Sequence, residues 1–403
     1  MQKASTGPSG DRPSSSDLLC FSHLRWDFVT QRPQHLLSRF ARERRVFYWE
    51  EPVYDTGEAW LDVSPRADGL TVVIPHLPWR DPEANDAAQR VLLDAFMDEQ
   101  GIGAHVAWFY TPMALGFAGH LSPLATVYDC MDELSAFLYA PPELLEREAE
   151  LLRRADLVFT GGPSLYEAKH GRHPSVHLFP SSIDTAHFGR ARGLKDADPA
   201  DQAGIAHPRI GFFGVLDERF DPELVRDIAA ARPEWQLVLI GPVVKIDEDA
   251  LPKAENIHYL GGKSYGELPE YLAGWDVAAL FFAINESTRF ISPTKTPEYL
   301  AAGRPVVSSP IVDVERTWAR DAMVRIAADA DAWVRAIESL LEMDGAEREA
   351  WLERVDRALA RSSWDQTYHE MRALLDGAAE GREWDASADG VEQESGLAAA
   401  AGD

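Results

Sequence analysis

Lys295 and Glu298 stand in the stretch SPTKTPEYLAAGRPVVSSP (292–310), which has prolines at 293 and 297 and a strand-like PVV after Arg304. An ammonium group neutralises phosphate, and a carboxylate accepts hydrogen bonds from a ribose diol. The pair has the chemistry needed to hold a nucleoside diphosphate. Thr296 followed by Pro297 reads as a helix start, a capping hydroxyl and then a residue with no N–H to leave unpaired. Gly303 reads as the stop. The local alternative is that Glu298 complements the helix dipole and Lys295 is a solvated loop residue.

Other residues could act with this pair. Gly214, in GFFGVLDERFD (211–221), directly follows a strand, where glycine permits close approach of backbone to phosphate. Arg219 is five residues further on and offers a second cation, or is a surface arginine. Asp132 and its rival Asp129, in YDCMDE (128–133), follow a strand end and suit a general base, or cap the next helix. His23 follows the first strand directly. Arg32 and His35, in QRPQH, open a helix and could hold an acceptor or a donor phosphate. Trp26, Trp49 and Trp108 could stack on a sugar or lipid, with core packing as the alternative. Cys20 and Cys130 form no metal-ligand spacing, and no metal site is expected. The acidic string IVDVE (311–315) has no context for metal binding.

These residues need elements to position them. Short apolar runs alternate with helical stretches: LLCFSH (18–23), RVFYWE (45–50), LTVVIP (70–75), HVAWFY (105–110), ATVYDC (125–130), DLVFT (156–160) and SVHLFP (175–180) read as strands. Between them RPQHLLSRFARE (32–43), 86–100 and 141–155 read as helices. Such alternation predicts an α/β fold with parallel sheets covered on both faces. The polar stretch 189–207 reads as a linker, after which the alternation restarts at RIGFFG (209–214). The division is therefore a first Rossmann-like domain over 17–188 and a second over 208–360. A closing helix over 361–376 follows, with structureless ends over 1–16 and 377–403. Two doubly wound halves would face each other across a cleft, with ligands beyond the carboxyl ends of the strands.

Bulk properties narrow the function classes. The chain of 403 residues carries a net charge of −27, which argues against nucleic acid as a partner. An anionic small ligand stays possible, since a few local cations suffice. The run RFARERR (39–45) is either a solvated helix end or a peripheral contact with an anionic membrane surface. The longest apolar run, VAALFFAI (277–284), is too short to span a bilayer. With no apolar leader and two separated cysteines, the expected location is the cytoplasm.

Five segments occur in the order that resembles GT-B glycosyltransferases of the family-4-like group 1. They are GFFGVLDERFD, WQLVLIGP, NIHYLGGKSYGELPEYLAGWDVAAL, NESTRFISPTKTPEYLAAGRPVVSS and SSWDQTYHEMRALL. LRWDFVTQRPQHLLSRFA and VYDCMDELSAF are similar to a subgroup of that family, and the resemblance covers roughly 17–376. It implies two Rossmann-like domains and sugar transfer without a metal or bound cofactor. The donor would be a UDP- or GDP-sugar, and the acceptor a sugar or lipid-linked saccharide of the cell envelope or an exopolysaccharide. It places Gly214 near the donor phosphates, Lys295 on the diphosphate and Glu298 on the ribose, and Thr294 and Arg219 are grouped with them as donor-site candidates. The backbone around Leu260 and Gly261 falls against the base; Asp132 and His23 are catalytic candidates from their positions at strand ends. The family's motif has another glutamate eight positions before Glu298. Here that position is Phe290, and Glu286 lies four residues earlier still. Two alternatives share the same donor pocket: a GT-B nucleotide-sugar epimerase, and a non-catalytic nucleotide-sugar binding protein.

Overall fold

The computed structural model describes residues 16–399 apart from 56, 67–68, 79–80 and 195–197, with side chains as far as 381. Residues 1–15, expected to lack structure, lie outside the described residues.

Nine strands form the first sheet: β1 (Asp17–Phe21), β2 (Val46–Trp49), β3 (Val53–Tyr54), β4 (Trp60–Pro65), β5 (Leu70–Leu77), β6 (His105–Phe109), β7 (Ala125–Cys130), β8 (Leu157–Thr160) and β9 (Val176–Leu178). Their order is β3-β5-β2-β1-β6-β7-β8-β9, with β4 added antiparallel to β5. The second sheet holds β10 (Arg209–Phe213), β11 (Gln236–Ile240), β12 (Ile257–Tyr259), β13 (Val277–Leu280), β14 (Val306–Ser308) and β15 (Val324–Ile326). It is parallel throughout, in the order β12-β11-β10-β13-β14-β15. This is the two-domain α/β architecture expected. β3, β4 and β15 are the additions: residues 51–69 contain no long apolar run, β4 is a half-exposed edge, and β15 is three residues long.

Strand alternation builds a core on each face of each sheet. In β1, Leu18 and Cys20 enter one core while Leu19 and Phe21 enter the other. In β11, Leu237 and Leu239 point one way and Val238 and Ile240 the other. Trp49 and Trp108 are fully buried core residues, so packing is their role.

The last helix, Trp364–Ala399, buries Trp364, Tyr368, Met371 and Leu375 in the first domain's core. It runs on into the acidic stretch from which no element was expected; alanine and glutamate there favour helix. The basic run pairs with its neighbours: Arg39 with Asp365 (2.7 Å), Arg44 with Asp376 (3.3 Å) and Arg45 with Asp17 (2.5 Å). That pairing removes most of the charge that suggested a membrane contact. The stretch read as a linker is packed rather than free. Gln202 is buried, accepts from Trp275 Nε1 (2.9 Å) and donates to the Tyr271 carbonyl (3.1 Å). Arg209 pairs with Asp198 at 2.7 Å. Among the described residues no helix is long and apolar enough to cross a membrane.

Both sheets reverse their winding at the first strand of the domain, β1 and β10, whose neighbours run off in opposite directions. The crevices beyond those strand ends are where such sheets take ligands.

Candidate functional site

A cleft of about 770 Å³ opens between the two crevices. Its walls include Trp26, Phe28, Gln31, Met131 and Asp132 from the first domain. From the second come Gly214, Arg219, Gly241, Tyr265, Thr294, Lys295 and Glu298.

Three glycine turns step across the carboxyl edge of the second sheet. Gly214, after β10, has φ +146° and its N–H donates to the Ile240 carbonyl (2.8 Å). Gly241, after β11, has φ +145° and its N–H donates to the Gly261 carbonyl (2.9 Å). A Cβ on Gly241 would lie 1.8 Å from the Gly214 carbonyl oxygen. A Cβ on Gly214 would lie 2.1 Å from Lys295 Cε. Glycine is needed at both for conformation and for space. Gly261 (φ +67°) has open space around it and does not line the cleft; its carbonyl orders the adjoining turn.

The helix behind Lys295 runs Lys295–Ala301, so it begins before the expected Thr296–Pro297 start. Thr294 occupies the cap position without a side-chain bond, and the buried Thr296 hydroxyl has no partner. Pro297 still fits, because the first turn needs no intrahelical N–H donor. Seven residues make a weak dipole, so the Lys295 cation is the main source of positive potential here. Its ammonium lies 5.9 Å from the centre of the Phe212 ring and makes no salt bridge to a described carboxylate. Burial, then Arg219, pulls the lysine's pKa down, against the attraction of Glu298, Asp217 and Asp132. Glu298 is 8% exposed, and burial pushes it up to about 7 despite Lys295.

Arg219 is held rather than free. Asp217 takes it in a fork (3.0 and 2.6 Å), and its guanidinium lies 5.2 Å from the Phe137 ring of the first domain. Asp132, beyond the end of β7, faces it across the cleft. Burial raises Asp132 to about 6, opposed by Arg219 and then Lys295. Two carboxyls that titrate near neutrality thus sit with two cations in one space. Among the described residues no group of three His, Cys, Asp or Glu gathers as a metal site requires.

Several candidates serve the fold instead. Arg32 and Asp129 form a buried pair at 2.9 Å, 1% and 0% exposed, and Arg32 also donates to the Phe179 carbonyl (2.7 Å). Neither is available to a ligand. His35 stacks on Trp364 at 4.7 Å and meets Tyr265 edge-on, and burial lowers it to about 4. His23 lies outside the cleft lining. Burial lowers it to about 4 despite a hydrogen bond with the Tyr110 backbone, and its Nδ1 has no partner. Glu286 is exposed and paired with Arg289 (3.7 Å). Phe290 packs against the first domain's core, beneath the Arg289 guanidinium (5.1 Å). Asp313, from the acidic string without a metal context, clasps the domains: its Oδ1 accepts from the Ser164 N–H (3.1 Å), beside Arg316–Glu167 (2.8 Å).

Three contributors were not singled out from sequence. Asp217 anchors Arg219, Gly241 supports Gly214, and the segment Asp27–Gln31 forms the facing wall beside Trp26. Gly241 carried a readable signal, since it follows a strand as Gly214 does.

Residues 207–343 match the family model for glycosyl transferases group 1. A putative teichuronic acid biosynthesis glycosyltransferase, TuaH of Bacillus subtilis (strain 168), is 21% identical over 307 residues, 67% of this chain and 77% of that protein. Sucrose-phosphate synthase from Thermosynechococcus elongatus superposes with a TM-score of 0.67 at 15% identity, covering 90% of this chain and 99% of the other. Anabaena HepE, in complex with UDP and glucose, gives 0.64 at 14% identity, covering 90% of this chain and all (100%) of the other. Family match and relative support a glycosyltransferase, with a group 1 match over residues 207–343, and the solved structures show the GT-B fold.

Proposed function

We propose that this glycosyltransferase moves a sugar from a UDP- or GDP-sugar to a saccharide acceptor of the cell envelope or an exopolysaccharide, without a metal ion. The observation that carries the reading is Lys295, a cation over the Gly214 backbone with no carboxylate among the described residues paired to it. A diphosphate is the group that would neutralise it. HepE is a UDP complex, which favours uridine. TuaH, named for teichuronic acid biosynthesis, favours an envelope polysaccharide as product.

In the transfer, the bond between the sugar's anomeric carbon and the diphosphate oxygen breaks. The acceptor oxygen bonds that carbon and loses its proton. Charge grows on the leaving diphosphate, and Lys295 and Arg219 neutralise it. Glu298 accepts from the ribose hydroxyls. Asp132, near 6, is ionised at neutral pH and positioned to take the acceptor's proton if configuration inverts.

The test is a thermal-shift series with UDP, GDP, ADP and dTDP, followed by turnover of the matching nucleotide-sugar with and without EDTA. A ligand bound to the folded state alone raises the melting temperature. One nucleotide class should shift it, and EDTA should leave turnover unchanged. No shift at millimolar ligand would overturn the donor site. Donor conversion without any acceptor would turn the reading to an epimerase.

A further inference from the structure

The loop after β1 leaves an aromatic ring in water at the wall of the cleft. Phe28 is 53% exposed and lines the cleft. The other large apolar side chains left more than a third exposed, Trp60 and Tyr139 among them, lie outside that lining. Keeping a phenyl group in water forgoes the free energy its burial would release.

The loop is firmly built, so slack does not explain the exposure. The Trp26 N–H donates to Glu50 Oε1 (2.7 Å), and Arg25 donates to Glu50 Oε2 (2.9 Å) and the Glu51 carbonyl (2.6 Å). The Gln34 side-chain amide donates to the carbonyls of Trp26 (2.7 Å) and Val29 (3.1 Å), on either side of Phe28. Glu50 is buried, which strengthens these charged bonds. The frame holds the ring in place before any ligand arrives.

The neighbours identify the ligand. Asp27 and Thr30 stand exposed beside Phe28 in the same lining, and the diphosphate cation Lys295 belongs to the opposite domain. One apolar face with polar groups at its rim matches a sugar ring, which has C–H bonds on its face and hydroxyls at its edge. An aliphatic chain would call for a continuous apolar strip, which these polar neighbours interrupt.

We propose that Phe28 is the platform on which a pyranose ring of the acceptor saccharide stacks. This rests on the glycosyltransferase reading of the cleft. The experiment is saturation-transfer NMR on the full chain with UDP present. The probes are methyl β-D-glucopyranoside, methyl N-acetyl-β-D-glucosaminide and methyl β-D-glucuronide. The proteins are the native one and Phe28→Ala, Phe28→Leu and Phe28→Trp. At least one glycoside should bind, with saturation strongest on one ring face. Affinity should fall about tenfold in Ala and Leu and survive in Trp, the scale of an aromatic contact beyond its area. Retention in Leu would assign the spot to an aliphatic group and overturn the proposal. So would unchanged affinity in Ala, or no glycoside binding while UDP still raises the melting temperature. Failure of UDP to bind as well would instead bring down the donor reading beneath it.

Discussion

The interior of the first domain and the cleft wall of the second treat charge in opposite ways. Behind the first-domain wall that carries Asp132, charges are paired and turned inward. Arg32 grips Asp129, both essentially unexposed, and Glu148 takes both Lys169 (2.6 Å) and Arg172 (2.9 Å). On the second, Lys295 makes no ion pair among the described residues and Glu298 stays near 7, so charge is held in reserve. Arg219 lies between these extremes, oriented by Asp217 and still at the cleft surface. A paired buried charge builds structure and has little left for a ligand. An unpaired one weakens the empty protein and gains when its counter-charge arrives.

The largest effect that would break this contrast is at Arg32. Arg32→Ala leaves Asp129 buried and unpaired, and unfolding should become easier by about 3–5 kcal/mol. Urea denaturation measures it, and unchanged stability would mean the pair is not structural. Lys295→Ala should do the reverse. UDP affinity by calorimetry should fall ten- to hundredfold, the range of about 1.5–3 kcal/mol for a charged hydrogen bond. The melting temperature of the empty protein should hold or rise.

Glu298 adds a pH signature of its own. In the proposed role it accepts from the ribose diol when ionised, above about 7, so UDP affinity should rise with pH through 7. In the empty protein its folded value lies above the ordinary 4.5, so the native state binds the extra proton between those values. Stability from this group therefore falls as pH rises from about 4.5 through 7. Glu298→Gln should flatten both trends, and unaltered slopes would place the titration elsewhere. The smallest effect belongs to Arg39, whose partner Asp365 is 66% exposed. Arg39→Ala should cost under about 1 kcal/mol by thermal melting, because water screens such pairs. A larger loss would mean that the last helix depends on that pair for docking.

Much of the second domain's cleft wall was legible in the sequence because its parts are local to strand ends. Gly214 follows β10 at once, and Lys295 and Glu298 share one short helix mouth. The alternation of apolar residues placed those ends at a cleft. The cap was misplaced, because Thr296–Pro297 has the better local chemistry while tertiary packing starts the helix at Lys295. The first-domain wall was hard to read. Arg32 and Asp129 looked like ligand groups because nothing local told that they would meet across 97 positions. RFARERR looked like a membrane patch because the partners of Arg39 and Arg44 lie on a helix more than 300 residues later.

The sequence by itself determined the alternating α/β plan, the two sheets and the glycine, lysine and carboxylate of the second domain's cleft wall. Periods of 2.0 and 3.6 residues and strand-end glycines are properties of neighbouring residues. The tertiary structure alone decided which charges cancel, which ring stays in water, and that Phe290 turns into the first domain. Those outcomes depend on distances between groups far apart in the chain. Burial and Coulomb attraction fix them only once the two domains have closed on each other.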